Sequence, residues 1–244
     1  MFDATCPGLL QGLYLVGSIA LDDFRPDHSD VDFIAVTAEP ILDSDLGRIE
    51  AVHRQFSQEP GPALEGFYLD RGQTRQPPDP GRPLPFELGG RFRVAPCFEA
   101  SPVTWRIWQE HGIPVRGEAP ATLDLQIDPV ALHRFELANL KGYWTDWVAA
   151  NRSRPGPVDP ELLGWGVLGI SRLAQVLATR TIGSKTEAGV WALEYFAPRW
   201  RPIIEDALAA RRGQLPPVQL DRFQVALDFM AHVAAEAQRL YPLR

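Results

Sequence analysis

A glycine-serine pair and two aspartates lie close together near the start of the chain. Gly17-Ser18 is part of the apolar run Leu13 to Ile19, and Asp30-Val31-Asp32 leads directly into Phe33-Ile34-Ala35-Val36. Because side chains alternate along a strand, Asp30 and Asp32 are predicted to point the same way, with Cα atoms about 6–7 Å apart. Two such carboxylates can share divalent cations, which prefer hard oxygen ligands. The spacing therefore predicts a metal site for Mg²⁺ at Asp30 and Asp32.

The glycine-serine pair adds a feature suited to phosphate binding. Gly17 lets the backbone approach a polyphosphate closely, and Ser18 offers a backbone N–H and a hydroxyl to phosphate oxygens. Metal-bound carboxylates beside such a cradle suit nucleotidyl transfer, because the metals neutralise charge on the α-phosphorus. The combination resembles the signature of polymerase-β-type nucleotidyltransferases. Asp43-Ser44-Asp45 has the same spacing, but no Gly-Ser pair precedes it and no strand-type run follows it. We therefore interpret it as turn or helix-capping sequence.

A third carboxylate is expected from a strand beside the aspartate pair. The candidates are Glu59, Glu65 and Asp70, of which only Glu65 heads an apolar run of strand type, Leu64 to Leu69. A carboxylate near the metals could ligate them or take the proton from an incoming hydroxyl. On spacing alone, Glu65 is equally well an ordinary exposed strand residue.

Composition limits the class of protein. The hydrophobic content of 45% and seven tryptophans exclude a disordered chain, and 244 residues allow one large or two small domains. The sequence has no run of 18 apolar residues and no basic N-terminal segment, so we expect a cytoplasmic protein without a membrane partner. The chain has two cysteines, Cys6 and Cys97, which form no disulfide framework and no metal motif. We therefore expect buried or unreactive thiols. A net charge of −7 makes nucleic acid an improbable partner and suits a small, cationic acceptor; we expect a monomer.

The sequence changes near residues 120–129 from short strand-type runs to long segments with helical spacing. This change predicts an α+β front half and an all-α back half. The front half has strand-type runs, one helix and a proline-rich segment, Gln73 to Pro85, that we expect to be an exposed connection. The predicted strands are Leu13–Ile19, Val31–Thr37, Leu64–Asp70 and Phe92–Ala95, and the helix is Asp43–Phe56. The predicted helices of the back half are Val130–Ala150, Pro160–Ala178, Lys185–Phe196, Pro202–Arg212 and Leu220–Leu240.

The chain resembles the aminoglycoside (3'')(9) adenylyltransferase family over nearly its whole length. The positions that carry the resemblance are Leu13 to Ser18, Ser29 to Asp32, Glu65, Pro114 to Gly117, Ser171-Arg172, Ser184 to Ala192 and Phe196 to Ile204. The resemblance implies a polymerase-β-like nucleotidyltransferase domain with a mixed sheet at residues 1–128. A helical bundle at residues 129–244 would complete the cleft for ATP and substrate.

The same resemblance assigns roles to individual residues. It implies that Glu65 is the catalytic base and that Arg172 and Lys185 bind the ATP triphosphate, while Ser29 belongs to the nucleotide-binding motif. Two observations agree with the basic residues: Arg172 interrupts an apolar run, and Lys185 is one of only two lysines. The implied activity is transfer of AMP from ATP, with Mg²⁺, to a hydroxyl of an aminoglycoside or aminocyclitol such as spectinomycin or streptomycin.

The departures from the family concern the acceptor pocket. A family tryptophan is replaced within Phe86-Glu87-Leu88-Gly89-Gly90 by glycine, and the family's acidic drug-binding residues fall around Leu162, Leu163 and Trp165. The acceptor therefore stays open between spectinomycin, another aminocyclitol and an unrelated hydroxylated metabolite. Transfer to a protein side chain or an RNA end, and a catalytically silent nucleotide-binding regulator, are the alternative functions.

Overall fold

The computed structural model describes residues 1–242. The chain divides into two compact units, Met1–Asp128 and Pro129–Arg244. The first unit is built on a sheet and the second is helical, as the sequence predicted for the fold class.

The N-terminal unit contains a mixed six-stranded sheet with the order β5-β4-β3-β2-β1-β6. Strands β2 and β3 run parallel, and every other neighbouring pair in this sheet is antiparallel. The strands are β1 (Leu10–Leu15), β2 (Val31–Thr37), β3 (Leu64–Asp70), β4 (Pro83–Leu88), β5 (Arg91–Pro96) and β6 (Ile113–Arg116). A parallel pair requires a crossover connection, and the long helix between β2 and β3 supplies it.

Helices cover both faces of this sheet. The helices are α1 (Phe2–Thr5), α2 (Gly17–Ala20), α3 (Asp43–Phe56) and α4 (Pro102–His111), with 3₁₀ turns at Arg71–Gln73 and Pro120–Thr122. On one face, Ile49 and Val52 of α3 pack with Phe33 and Tyr68 of the central strands. On the other face, Trp105 of α4 stacks on Phe67 with ring centroids 5.8 Å apart. Both central strands are therefore covered on both sides.

Several boundaries differ from the sequence-based prediction, two of them for an identifiable physical reason. The first strand ends at Leu15 rather than Ile19, because Gly17 (φ +58°) turns the chain into the single turn of α2. The predicted exposed connection is wrong at its end, since β4 begins at Pro83 and Leu84 is buried. A strand tolerates proline where its N–H has no partner. Pro83 pairs with Pro96 of β5, but on its other side β3 pairs only with Phe86 and Glu87, so β4 has no ladder partner there at Pro83.

The helical unit consists of helices around a central one, α7. They are α5 (Pro129–Asn139), α6 (Thr145–Asn151), α7 (Pro160–Thr179), α8 (Lys185–Tyr195), α9 (Arg201–Arg211) and α10 (Leu220–Leu240). Helix α7 begins as predicted, with the Asp159 carboxylate accepting from the Glu161 amide and Pro160 in the first turn. The helix predicted at Val130–Ala150 is instead interrupted by a π-helical segment, Leu140–Trp144.

Helix α7 is also the most apolar helix of the described residues. Within residues 1–242 it alone is long and apolar enough to cross a membrane, and 56% of its apolar stretch is buried in the structure. It packs against α8, α9 and α10. Cys6 and Cys97 are free, buried thiols.

His53 of α3 lies in the core of the N-terminal unit. Its ring stacks between Phe33 and Phe92, with centroid distances of 5.8 and 5.5 Å. Its Nε2 atom lies 2.8 Å from the Tyr68 hydroxyl oxygen. Burial lowers the pKa of His53 to about 4, so the ring is neutral near neutral pH despite the Glu87 carboxylate 3.7 Å away.

Acidification is expected to destabilise the N-terminal unit through His53. Because the pKa is depressed in the folded state, the unfolded chain takes up the proton first. Stability is therefore fully present above about pH 6.5 and is lost as the pH falls towards 4, by at most about 1.4 kcal/mol per pH unit. We expect His53→Phe, which keeps an aromatic ring between Phe33 and Phe92, to remove this loss. Free energies of unfolding between pH 4 and 7.5 measure it.

His111→Gln is the matched control, because His111 is exposed at the end of α4. Its pH profile should run parallel to that of the wild type. A parallel profile for His53→Phe as well would contradict this assignment.

Candidate active site

The three predicted acidic residues meet at one end of the sheet. Strands β2 and β3 pair in parallel register, with Asp32 opposite Glu65. Register partners in a sheet project to the same face, with strands about 4.8 Å apart. Asp30 comes just before β2, and the negative charges of Asp30 and Asp32 both raise the pKa of the Glu65 carboxyl. The structure thus makes Asp32 and Glu65 neighbours on one face of the sheet, with Asp30 near enough for its charge to affect Glu65.

The other two candidates for the third acid lie elsewhere. Glu59 is exposed in the turn that follows α3. Asp70 ends β3 opposite Thr37, at the far end of the strand from Glu65, and its amide donates to the Gln73 side chain. Neither residue joins the carboxylate cluster.

Gly17 lies directly against Asp32. Strand β1 is antiparallel to β2, so its C-terminal end is beside the start of β2, and the Val16 amide donates to the Asp32 carbonyl. A Cβ atom at Gly17 would lie 1.8 Å from Asp32 Oδ2. The positive φ and the close approach both require glycine at this position. Ser18 follows in the same turn.

Ser29 anchors the loop that leads into β2. Its hydroxyl oxygen accepts from the Arg25 amide at 3.1 Å, and its own amide donates to the Arg25 carbonyl. The loop is further fixed at its start, where the Asp23 amide donates to the Ser18 carbonyl at 2.9 Å. Both serines of the predicted phosphate-binding motif therefore take part in holding the turn between β1 and β2.

The Glu65 carboxylate is held by a contact that sequence reasoning missed. The Gly89 amide donates to Glu65 Oε1 at 3.0 Å. Gly89 and Gly90 form the two-residue turn of the β4–β5 hairpin, and both have positive φ values. A Gly-Gly pair between strands is a known hairpin signal. The sequence therefore contained the turn, but not its contact with Glu65.

The environment of Glu65 favours its protonated form. Burial raises the pKa of the Glu65 carboxyl, and the charges of Asp30 and Asp32 raise it further, while the Gly89 amide opposes them. Carboxylates crowded in this way attract cations. Such a site is suited to Mg²⁺, which uses one or two protein carboxylates and takes further oxygens from phosphates and water. Within residues 1–242, no group of three or more His, Cys, Asp or Glu residues lies close enough together to hold a metal ion without further ligands.

The two predicted basic residues lie in the helical unit. Arg172 is partly exposed on α7, next to Ser171, whose buried hydroxyl donates to the Val167 carbonyl. Lys185 is the first residue of α8, which starts with a capping box: the Glu187 amide donates to Ser184 Oγ and the Ser184 amide to Glu187 Oε2. Each side chain thus extends from a well-fixed part of its helix.

Glu136 of α5 is a charged residue that sequence reasoning did not select. It is 2% exposed, and burial raises the pKa of its carboxyl to about 8, whereas the Arg172 guanidinium acts in the opposite direction. Its position within the amphipathic segment Val130 to Ala150 gave no sign of burial. A buried acid beside a functional candidate is the kind of group that requires an explanation.

Replacement of Gly17 is expected to impair metal and nucleotide binding. In Gly17→Ala the new methyl group must displace the Asp32 carboxylate, so we expect at least about tenfold weaker MgATP binding by calorimetry. Gly8→Ala is the matched control: Gly8 also has a positive φ (+74°) but no atom within 4 Å of its Cβ position. The control carries the same kind of backbone strain. Equal MgATP affinity in both variants would contradict the close contact with Asp32.

Two family models match separate parts of the chain. The nucleotidyltransferase domain model matches residues 7–60, which include Gly17, Asp30 and Asp32. The model of the aminoglycoside adenylyltransferase C-terminal domain matches residues 163–236, which include Arg172 and Lys185. Comparison with curated proteins gives no significant match.

Among solved structures, the chain is similar to spectinomycin adenyltransferase AAD(9) from Enterococcus faecialis, crystallised with ATP and spectinomycin. The TM-score is 0.68 at 14% sequence identity, over 95% of this chain and 94% of the other. At this identity the likeness concerns the fold. The two domain models occur in the order that the resemblance implied, and they confirm it: the chain is a nucleotidyltransferase whose second half carries a C-terminal domain of the aminoglycoside adenylyltransferase type.

Proposed function

We propose that this enzyme transfers AMP from ATP, with Mg²⁺, to a hydroxyl group of a small molecule. The observation that carries the proposal is the pairing of Asp32 with Glu65 across β2 and β3, with the charge of Asp30 acting on the same carboxylate. Three acids in one place suit a reaction that needs both cation ligands and a proton acceptor.

Asp30 and Asp32 are proposed as the Mg²⁺ ligands. When bound, Mg²⁺ neutralises charge on the triphosphate and helps to align the attacking and leaving oxygens. Gly17 leaves room at the carboxylate of Asp32 because it has no side chain. We propose that the backbone of Gly17 and Ser18 lies against the triphosphate, in a turn that Ser29 helps to fix from the other side of the loop.

Glu65 is proposed as the general base. Its carboxylate takes the proton from the acceptor hydroxyl as the oxygen attacks the α-phosphorus; the bond from that phosphorus to the bridging oxygen breaks, and pyrophosphate leaves. A base for this step must be held in one orientation, since geometry precedes pKa in proton transfer. The hydrogen bond from the Gly89 amide provides that hold on Oε1, and Oε2 is the oxygen proposed to accept the proton.

Arg172 and Lys185 are proposed as further ligands of the triphosphate. A guanidinium can bind phosphate oxygens with two parallel hydrogen bonds, and an ammonium acts as a compact point charge. The match of the C-terminal domain model across both residues supports this assignment. In this role they stabilise negative charge that the metal site does not cover.

The proposed acceptor is an aminoglycoside or aminocyclitol such as spectinomycin or streptomycin. Support comes from the family and from the neighbour that was crystallised with ATP and spectinomycin. The apolar residues at the positions of the family's drug-binding acids favour an acceptor that needs few carboxylate contacts. Leu163 is itself buried, while Leu162 and Trp165 are partly exposed. Spectinomycin is therefore the first acceptor to test.

An acceptor screen tests the proposed reaction. We expect pyrophosphate release from MgATP to rise at least about tenfold over the acceptor-free rate with spectinomycin or a related aminocyclitol, and mass spectrometry should find one AMP added to the acceptor. MgATP binding without release, for every acceptor tried, would contradict the enzymatic proposal and favour a regulator.

Glu65→Gln tests the general base. The amide keeps the size of the side chain but cannot take a proton, so we expect kcat to fall by about 10²–10⁴ while MgATP binding stays within a few-fold. Glu59→Gln is the matched control, because Glu59 is an exposed acid outside the cluster, and its kcat should equal that of the wild type. Wild-type turnover by Glu65→Gln would remove this role.

A further inference from the structure

Glu136 is buried in a helical unit whose core is almost entirely apolar. It is 2% exposed, and within the described residues 1–242 its Oε2 atom has no hydrogen-bond partner. Glutamate is rarely buried to this extent without a partner, because the loss of hydration is costly. Its carboxyl therefore lowers the stability of this unit and keeps unused capacity to accept a hydrogen bond.

The positive charge of Arg172, on α7, lowers the pKa of the Glu136 carboxyl and so partly opposes the effect of burial. Helix α5 packs against α7, and the π-helical segment that follows α5 approaches α7 closely: a Cβ atom at Gly169 would lie 3.0 Å from the Trp144 ring. Trp144 belongs to the π-helical segment that follows α5 and is 4% exposed. Gly169 and Arg172 are three residues apart on α7, hence on neighbouring positions of the same helix face. The contact of Trp144 with Gly169 thus fixes the segment that follows α5 against the same face of α7 that carries Arg172.

We propose that Glu136 is a positioning residue for Arg172, holding its guanidinium from inside the helical unit in the orientation that binds the triphosphate. This inference rests on the proposed function of Arg172. A long arginine side chain on a partly exposed helix face can adopt many rotamers. A fixed buried acceptor removes part of this freedom before ATP arrives, so less entropy is lost on binding.

The protonation state of Glu136 decides which variant is its mimic. With a pKa raised to about 8, the carboxyl is mainly protonated at neutral pH and still offers a carbonyl oxygen. Glutamine has the same shape and the same kind of acceptor oxygen. Leucine fills a similar volume and has no acceptor.

The test compares MgATP affinity, measured by calorimetry at pH 7, among Glu136→Gln, Glu136→Leu, Arg172→Leu and the double leucine variant. We expect Glu136→Gln to bind within about threefold of wild type and Glu136→Leu at least tenfold more weakly. The double variant should bind no more weakly than Arg172→Leu alone, because coupled residues are not additive. The Tm of Glu136→Leu should equal or exceed that of the wild type, since an apolar side chain replaces a buried polar one. The KM for the acceptor should stay within about twofold.

Asp228→Leu and Arg152→Leu are the matched controls. These residues form an exposed ion pair in the same unit, with Nη1 2.6 Å from Oδ1, and their loss should leave MgATP affinity unchanged. Wild-type MgATP affinity in Glu136→Leu would overturn the inference. So would additive effects in the double variant, or weaker binding that follows a lower Tm together with a raised acceptor KM.

Failure of the proposed function gives a different result. Wild-type protein that binds no MgATP would overturn that function and this inference with it. Wild-type affinity in Arg172→Leu would show that the triphosphate does not use Arg172, and would overturn the positioning role while leaving the carboxylate site intact.

Discussion

The pairing of β2 with β3 is the interaction on which the candidate site depends. The two strands are far apart in sequence and lie side by side in parallel, so that Asp32 and Glu65 become register partners. A shift of one residue would turn one of the two carboxylates to the other face of the sheet. The register is supported by the cores on both faces and by Gly66, where a Cβ atom would lie 2.0 Å from the Phe33 carbonyl oxygen.

This arrangement gathers like charges, and its cost explains the local structure. Asp30 and Asp32 raise the pKa of Glu65, which means that the three carboxylates repel one another when ionised. The Gly89 amide offsets part of this repulsion at Glu65. The remainder of this repulsion would be relieved by a cation, which agrees with the proposal that Asp30 and Asp32 are Mg²⁺ ligands.

The helical unit contains a second carboxyl held at a cost. Glu136 is buried in this unit, and in the apolar core of the same unit Trp144 lies against Gly169 with little space to spare. The π-helical segment inserts one extra residue in the helix turn, and it separates α5 from α6 at the level of this contact. The buried acid thus lies just before irregular helix geometry, and the segment with that geometry contacts the helix that carries Arg172.

Much of the fold was predictable because its signals are local. The bounds of β2, β3, α3 and α10 agree with the predicted ones, since alternation and helical periodicity are properties of short segments. The proline-rich segment was interpreted wrongly at its end, because whether Pro83 fits a strand depends on which neighbour pairs with it. The helix through residues 140–144 was predicted without its π-helical turn, in which Trp144 contacts Gly169 of a helix distant in sequence.

The sequence by itself determined which residues are chemically able to act: Asp30 and Asp32 by their spacing, and Gly17 by the turn it permits. A strand-type run made Glu65 the best candidate for the third acid, and the family resemblance assigned its role and singled out Arg172 and Lys185. Tertiary structure alone decided that Glu65 stands beside Asp32, that the Gly89 amide holds it, and that Glu136 is buried near Arg172. The physical reason is range: periodicity and turn preference act between neighbours in the chain, whereas register, burial and the fields between charges depend on residues that only folding brings together.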